Sequence, residues 1–160
     1  VIIVLMGVSG AGKTTVGRLL ASNLGWRYFD ADDFHSTESV EKMRAGVALD
    51  DRDRQPWLES LRSLLREHLT NGESAILACS ALKESYREKL KIDERVKLVY
   101  LRGDFKLVEQ RLSTRPEHYM SASLLQSQFA TLEEPTDALE IDVRLPPQEI
   151  VNAIRRHFHL

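Results

Sequence analysis

Only one cysteine, Cys79, occurs in 160 residues. No disulfide can form within the chain, and the sequence fits a reducing compartment, the cytoplasm by expectation. A surplus of charge is missing as well: 22 Lys+Arg against 24 Asp+Glu leave a net charge of -2. Nothing marks the surface as a whole for nucleic acid or a membrane, so any phosphate binding has to be local. Long hydrophobic runs are also lacking. The opening run Val1 to Met6 is far below the roughly 20 residues that span a bilayer. It leads into a glycine-rich loop instead of a small-residue cleavage site, and so reads as a buried strand. There is no internal repeat, low-complexity tract or interdomain linker, and the length suits a single domain. Two short motifs are absent too, Asn-Lys-x-Asp and Asp-x-x-Gly, which argues against a guanine-nucleotide switch.

What is present alternates. After the first strand, Val16, Leu19, Leu20 and Leu24 recur at helical spacing with Gly25 as a stop. Arg27 to Asp30 reads as a short strand, and Ser36 to Ala45 as a helix ended by Gly46. Trp57, Leu58, Leu61, Leu65 and Leu69 form a helical stripe that the spacing starts just after Pro56 and Asn71-Gly72 closes. Ser74 to Cys79 and Val96 to Leu101 have strand length, each followed by a charged helical segment, Lys83 to Leu90 and Phe105 to Arg115. A last strand, Leu139 to Val143, precedes Pro146-Pro147 and a helix with Ile150, Ile154 and Phe158 on one face. The alternation predicts a three-layer α/β/α domain over residues 1–160 with a mostly parallel five-stranded sheet.

The loop after the first strand is Gly7-Val8-Ser9-Gly10-Ala11-Gly12-Lys13-Thr14, a full match to G-x-x-x-x-G-K-[ST]. It leaves an apolar strand and enters an amphipathic helix, which is the context a phosphate-binding P-loop needs. Glycines let successive N–H groups turn inward toward phosphate oxygens, and the helix N-terminus adds partial positive charge. In this reading Gly7 to Thr15 hold ATP. Lys13 bridges the β- and γ-phosphates, Thr14 offers its hydroxyl to Mg2+, and Thr15 reaches an α-phosphate oxygen. A second cluster, Asp30-Ala31-Asp32-Asp33-Phe34-His35, lies at the C-terminal end of the second strand, where ligands bind in open α/β sheets. Asp30 is the candidate for the metal, and Asp32 for orienting an acceptor hydroxyl and taking its proton. On an extended chain the two share a side and Asp33 points away. The plainer reading of these carboxylates is a cap for the next helix.

Further blocks follow: Asp30 to His35, Glu41-Lys42-Met43, Leu49-Asp50-Asp51-Arg52-Asp53-Arg54-Gln55-Pro56-Trp57-Leu58, Cys79-Ser80-Ala81-Leu82-Lys83 with Tyr86-Arg87, Leu101 to Phe105, His118-Tyr119-Met120 and Leu124 to Pro135. Together these blocks resemble the gluconokinase family. The resemblance runs in family order from the P-loop to about Pro135. It implies a nucleoside-monophosphate-kinase-like fold with a short lid at 116–123, and ATP- and Mg2+-dependent transfer to the 6-hydroxyl of D-gluconate, usually in a homodimer. A carboxylate substrate needs a fixed cation. Arg54 is the first candidate, placed by spacing just before a helix, and Lys83 and Arg87 sit one turn apart as a second pair. Such a pair is also what a solvated helix face looks like. His35 reads either as a partner of a gluconate hydroxyl or as a structural histidine. Arg111 and Arg115 resemble the arginine pair that opens the lid of adenylate-kinase-like enzymes, implying adenine stacking for the first and a phosphate contact for the second. His118 would touch phosphate or cap the next helix. The chain departs from the family pattern at Ser36 and Ser121, where proline is frequent, and at Asp50, where asparagine is common. Cys79 reads as a small buried residue. Two other readings stay open: a kinase of another small acceptor, shikimate-like or a nucleoside monophosphate, and a nucleotide-binding regulator without turnover.

Overall fold

Every residue of β1 (Ile2–Met6) is buried, as befits a strand with partners on both edges and helices on both faces. In the computed structural model, which describes residues 1–114 and 122–160, β1 is the centre of a five-stranded sheet. Its other strands are β2 (Arg27–Asp30), β3 (Ala75–Ala78), β4 (Val96–Arg102) and β5 (Leu139–Asp142), in the order β2-β3-β1-β4-β5. All four pairings are parallel, so the expected sheet is present.

Alternation along β1 divides the core in two. Ile2, Val4 and Met6 meet Trp57, Leu58, Leu61 and Leu65 of α3 (Asp51–Thr70), with Tyr86 and Leu90 of α4 (Glu84–Leu90) on the same side. Ile3 and Leu5 face the other layer: Val16 and Leu20 of α1 (Lys13–Leu24), Val108 of α5 (Phe105–Ser113), and Ile150 and Ile154 of α7 (Pro147–Phe158). Each such fully buried aliphatic side chain contributes roughly 1.5–3 kcal/mol. Two short helices, α2 (Thr37–Arg44) and α6 (Ala122–Thr131), complete the described chain.

Helix α3 starts earlier than the spacing around Pro56 predicts. Asp50 accepts the Asp53 N–H (2.8 Å) and Asp53 accepts the Asp50 N–H (3.0 Å), a reciprocal cap worth about 1 kcal/mol. The helix therefore begins at Asp51, and Pro56 falls inside it on an exposed face, forgoing one i→i−4 bond. Arg54 thus stands on the helix instead of ahead of it. Both Asp50 and Ser36, which caps α2 by accepting the Ser39 N–H (3.2 Å), are helix caps; their departures from the family pattern have a local structural role.

Candidate active site

The strand order reverses at β1, whose neighbours are β3 and β4, so the crevice for a ligand opens at its C-terminal end. The glycine-rich loop leaves there. Gly10 and Gly12 have φ of 82° and 102°, angles that side-chain-bearing residues seldom adopt. A Cβ on Gly10 would lie 2.9 Å from the Leu112 side chain. Gly12 is the N-cap of α1 and supplies no side-chain cap, nor does the first turn hold an acidic residue. The leading N–H groups of α1 are thereby left for a ligand, in contrast to α2, α3 and α5, which polar side chains cap. Lys13 folds across the loop, its Nζ donating to Gly7 O (2.7 Å) and Val8 O (2.9 Å). Burial pulls its pKa down, opposed by the nearby carboxylates of Asp32 and Asp30 and by Cys79. Cys79 itself is buried, its thiol pushed up to about 12 by desolvation, which leaves it no nucleophilic role at neutral pH.

The acidic cluster is not extended, as its spacing alone suggested. Residues Ala31–Phe34 form a 3₁₀ turn, capped by Asp30 Oδ1, which accepts the Asp32 N–H (2.9 Å). Asp30 is half-buried, and desolvation raises its pKa. Asp32 projects outward, with 76% of its side chain exposed, and lines a cavity of about 490 Å³ together with Arg44, Arg54, Leu82, Ser127 and Gln128. Arg54 Nη1 donates to Leu49 O (2.8 Å) and to Tyr86 Oη (3.3 Å), which fixes the guanidinium at the cavity wall. Lys83 and Arg87 do not converge on this cavity. Lys83 pairs with Asp51 (2.9 Å), which also accepts the Tyr86 hydroxyl. Arg87 is buried, its Nη1 spent on the carbonyls of Ala81 and Leu82 (2.8 and 3.1 Å). At Ala81 the backbone has φ 45°, and Arg87 braces that strained corner.

Sequence reasoning named Asp32 and Arg54 but missed the other half of the cavity. Arg44 closes α2, and Leu124, Ser127, Gln128 and Thr131 line the cavity from α6. Gln128 reaches the P-loop: its Oε1 accepts the Ser9 N–H (2.7 Å) and its Nε2 donates to Ser9 Oγ (3.1 Å). A smaller cavity of about 210 Å³ opens on the far side of the loop between Ala11, Thr15, Arg111, Leu145, Pro147 and Ile150. Arg111 Nη2 donates to Val143 O (2.6 Å) there, tying α5 to the chain after β5. The candidates Arg115, His118 and Ser121, and with them most of the lid at 116–123, lie outside the described residues.

His35 sits behind Asp32. Its side chain is 4% exposed and Nε2 is 3.9 Å from Asp32 Oδ1, too long for a hydrogen bond. The ring stacks on Trp57 at 4.4 Å, whose indole N–H donates to Ala31 O (2.6 Å), and the His35 Nδ1 is buried with no hydrogen-bond partner among the described residues. Burial, with the Arg54 guanidinium adding to it, lowers the His35 pKa to about 4. Between pH 4 and the ordinary histidine value of about 6.5 the unfolded chain binds the proton and the folded chain does not. Stability therefore falls as pH drops through that window, by on the order of 3 kcal/mol in all. Urea unfolding of wild type and His35→Gln at pH 7 and pH 4.5 checks this. The variant is expected to lose less stability than wild type on acidification, and equal losses would show that the ring is not held neutral.

A phosphate-binding loop at the switch point of a parallel sheet, with one cavity beside an exposed carboxylate and another beside the helix that follows the loop, defines a P-loop kinase of the small three-layer type. The shikimate kinase family model matches residues 9–155. A gluconokinase of Arabidopsis thaliana is 43% identical over 169 residues, covering 96% of this chain and 89% of that one. Among solved structures, a sugar kinase from a Janibacter species superposes with a TM-score of 0.90 at 41% identity, over 97% of this chain and 92% of its own. A gluconokinase from Sinorhizobium meliloti superposes with a TM-score of 0.81 at 39% identity, over 94% and 86%. The chain belongs to the gluconokinase family.

Proposed function

We propose that this chain phosphorylates D-gluconate on its 6-hydroxyl with ATP, giving 6-phosphogluconate and ADP, as a magnesium-dependent cytoplasmic homodimer. The observation that carries the reading is the cavity shared by Asp32, Arg44 and Arg54, joined to the P-loop through Gln128. It pairs a carboxylate suited to an acceptor hydroxyl with two guanidiniums suited to a carboxylate substrate.

Within this reading Asp32 accepts the proton of the 6-hydroxyl while that oxygen attacks the γ-phosphorus, and the bond to the β–γ bridging oxygen breaks to release ADP. Lys13 leaves the Gly7 and Val8 carbonyls to meet the charge on the phosphates. Thr14 and the Asp30 carboxylate are hard oxygen donors of the kind Mg2+ takes, one or two per site with phosphates completing the shell. When bound, the ion supplies neutralisation of charge on the transferring group. Lys83 and Arg87 act through the walls they brace, and His35 by setting the 3₁₀ turn that carries Asp32. Arg111 borders the cavity for adenine, and Arg115 is kept as a phosphate contact by family likeness.

The test follows ADP release with ATP and Mg2+ against D-gluconate, shikimate, AMP and no acceptor. Saturable turnover is expected with gluconate alone. Turnover with one of the other acceptors overturns the assignment, and nucleotide binding without any turnover would favour a regulator.

A further inference from the structure

Gln128 makes two hydrogen bonds to a single residue 119 positions away, Ser9, one to its backbone N–H and one to its hydroxyl. Both ends of one planar amide are used, so the rotation of that amide is fixed as well as its position. Ser9 lies between Gly7 and Gly10, both with positive φ (152° and 82°), in a turn of the phosphate cradle that only glycine-compatible angles allow. The same amide forms part of the wall of the acceptor cavity. Helix α6 is anchored independently of that contact. Leu125 is buried, Phe129 stands edge-on to Phe105 with ring centroids 5.4 Å apart, and the Glu133 N–H just beyond the helix donates to Leu82 O (2.8 Å). Leu82 is itself a cavity residue. One short helix therefore spans from the acceptor wall to the phosphate loop.

We propose that Gln128 is a positioning residue for phosphoryl transfer. It holds the Ser9 segment of the P-loop in a fixed relation to the acceptor cavity, so that the γ-phosphoryl group goes to the bound acceptor hydroxyl and not to water. The physical ground is that transfer requires the reacting oxygen and phosphorus within about 3–3.5 Å and in line, and a shift of about 1 Å costs on the order of 100-fold. A loop rich in glycine does not supply such precision alone. Water as acceptor requires no fixed distance between cradle and sugar-acid pocket, whereas the organic acceptor does. Loosening the tether therefore penalises transfer to the acceptor more than hydrolysis. This inference rests on the kinase reading above.

The experiment compares wild type with Gln128→Ala and with Gln128→Leu, which keeps most of the bulk. For each, kcat and KM for gluconate and for ATP are measured, along with ATP hydrolysis per phosphogluconate formed, and amide hydrogen exchange of the nucleotide-free protein over residues 7–12. Ser9→Ala and the double variant close a cycle. Expected are a fall in kcat of about 10- to 100-fold, a raised share of ATP lost to hydrolysis, and faster exchange in the loop with the rest of the sheet unchanged. In the Gln128→Ala background Ser9→Ala should add nothing, because the hydroxyl contact is already gone. Unchanged kcat and unchanged partition overturn the proposal. So does a rise in the gluconate KM alone, which would make Gln128 a substrate ligand, and so does faster exchange throughout the chain, which would make it a general packing residue. A wild-type chain that turns over no acceptor removes the kinase reading and this inference with it, a result distinct from a failure of the variants alone.

Discussion

Lys13→Met lowers turnover by about 100- to 1000-fold with any acceptor, while the nucleotide-free protein keeps its stability to within about 1 kcal/mol. The two halves of that expectation have separate causes. In the nucleotide-free chain the ammonium is held by two loop carbonyls, Gly7 O and Val8 O, and burial works against its charge. Methionine gives up two hydrogen bonds but also removes a poorly solvated cation, and these effects are of similar size and opposite sign. In the transition state no such cancellation occurs. Negative charge spreads over the equatorial oxygens of the transferring group, and a preformed cation at that place is worth far more than in water. Single-turnover rates with saturating ATP and gluconate read the chemical step, and chemical denaturation without nucleotide reads the fold. A variant with wild-type single-turnover rate removes Lys13 from the mechanism. A variant that unfolds readily would instead make the lysine a brace for the loop.

The parts of this site that were legible in the sequence are local ones. A strand, a P-loop and a helix follow one another without interruption, so Gly7 to Thr15 announce their geometry by spacing alone, and the open N-terminus of α1 is what that spacing implies. The cap of α3 was equally local yet easily passed over. Asp50-x-x-Asp53 signals a helix start, but Pro56 six residues on is a stronger visual cue, and the apolar stripe becomes regular only from Trp57. The 3₁₀ turn at Ala31–Phe34 was hidden for a different reason. Asp30 caps it with its own side chain, and strand alternation cannot be carried past a residue that bonds its backbone two positions ahead.

Helix α6 and its contribution were the least visible. The segment Ala122–Thr131 carries no charged residue, so no polar face stands out against Leu124, Leu125 and Phe129, and a periodic reading has little contrast to work with. Its significance arises only from tertiary placement. Gln128 meets Ser9 across 119 residues, and Arg44, an ordinary basic residue in the last turn of α2, lines the same cavity as Arg54 only because α2 and α3 fold around it. The converse case is the pair Lys83 and Arg87. Their spacing of four suggests a shared pocket, but Lys83 is the N-cap of α4, outside the helical repeat that brings i and i+4 together. The two side chains turn to Asp51 and to the 81–82 carbonyls respectively.

Asp32→Asn is the substitution that tests the acceptor side most directly. The carboxylate is 76% exposed in a cavity wall, and what holds the turn is the backbone N–H of the same residue, bonded to Asp30 Oδ1. Asparagine has the same shape and leaves that bond in place, so the fold and the P-loop are untouched. What it cannot do is accept a proton at neutral pH. ATP affinity is expected to stay at the wild-type level and kcat to fall by about 100-fold or more, the range that a positioned general base contributes. Asp33→Asn is the matched control, since Asp33 lies in the same turn but is absent from the cavity lining, and it should retain nearly full activity. Titration calorimetry with ATP and steady-state kinetics on both variants separate binding from chemistry. If Asp33→Asn is the slow variant, the acceptor must approach from the outer side of the turn. If neither is slow, proton removal lags behind phosphoryl transfer and the carboxylate cluster serves the metal alone, an outcome that a looser, more dissociative transition state would allow.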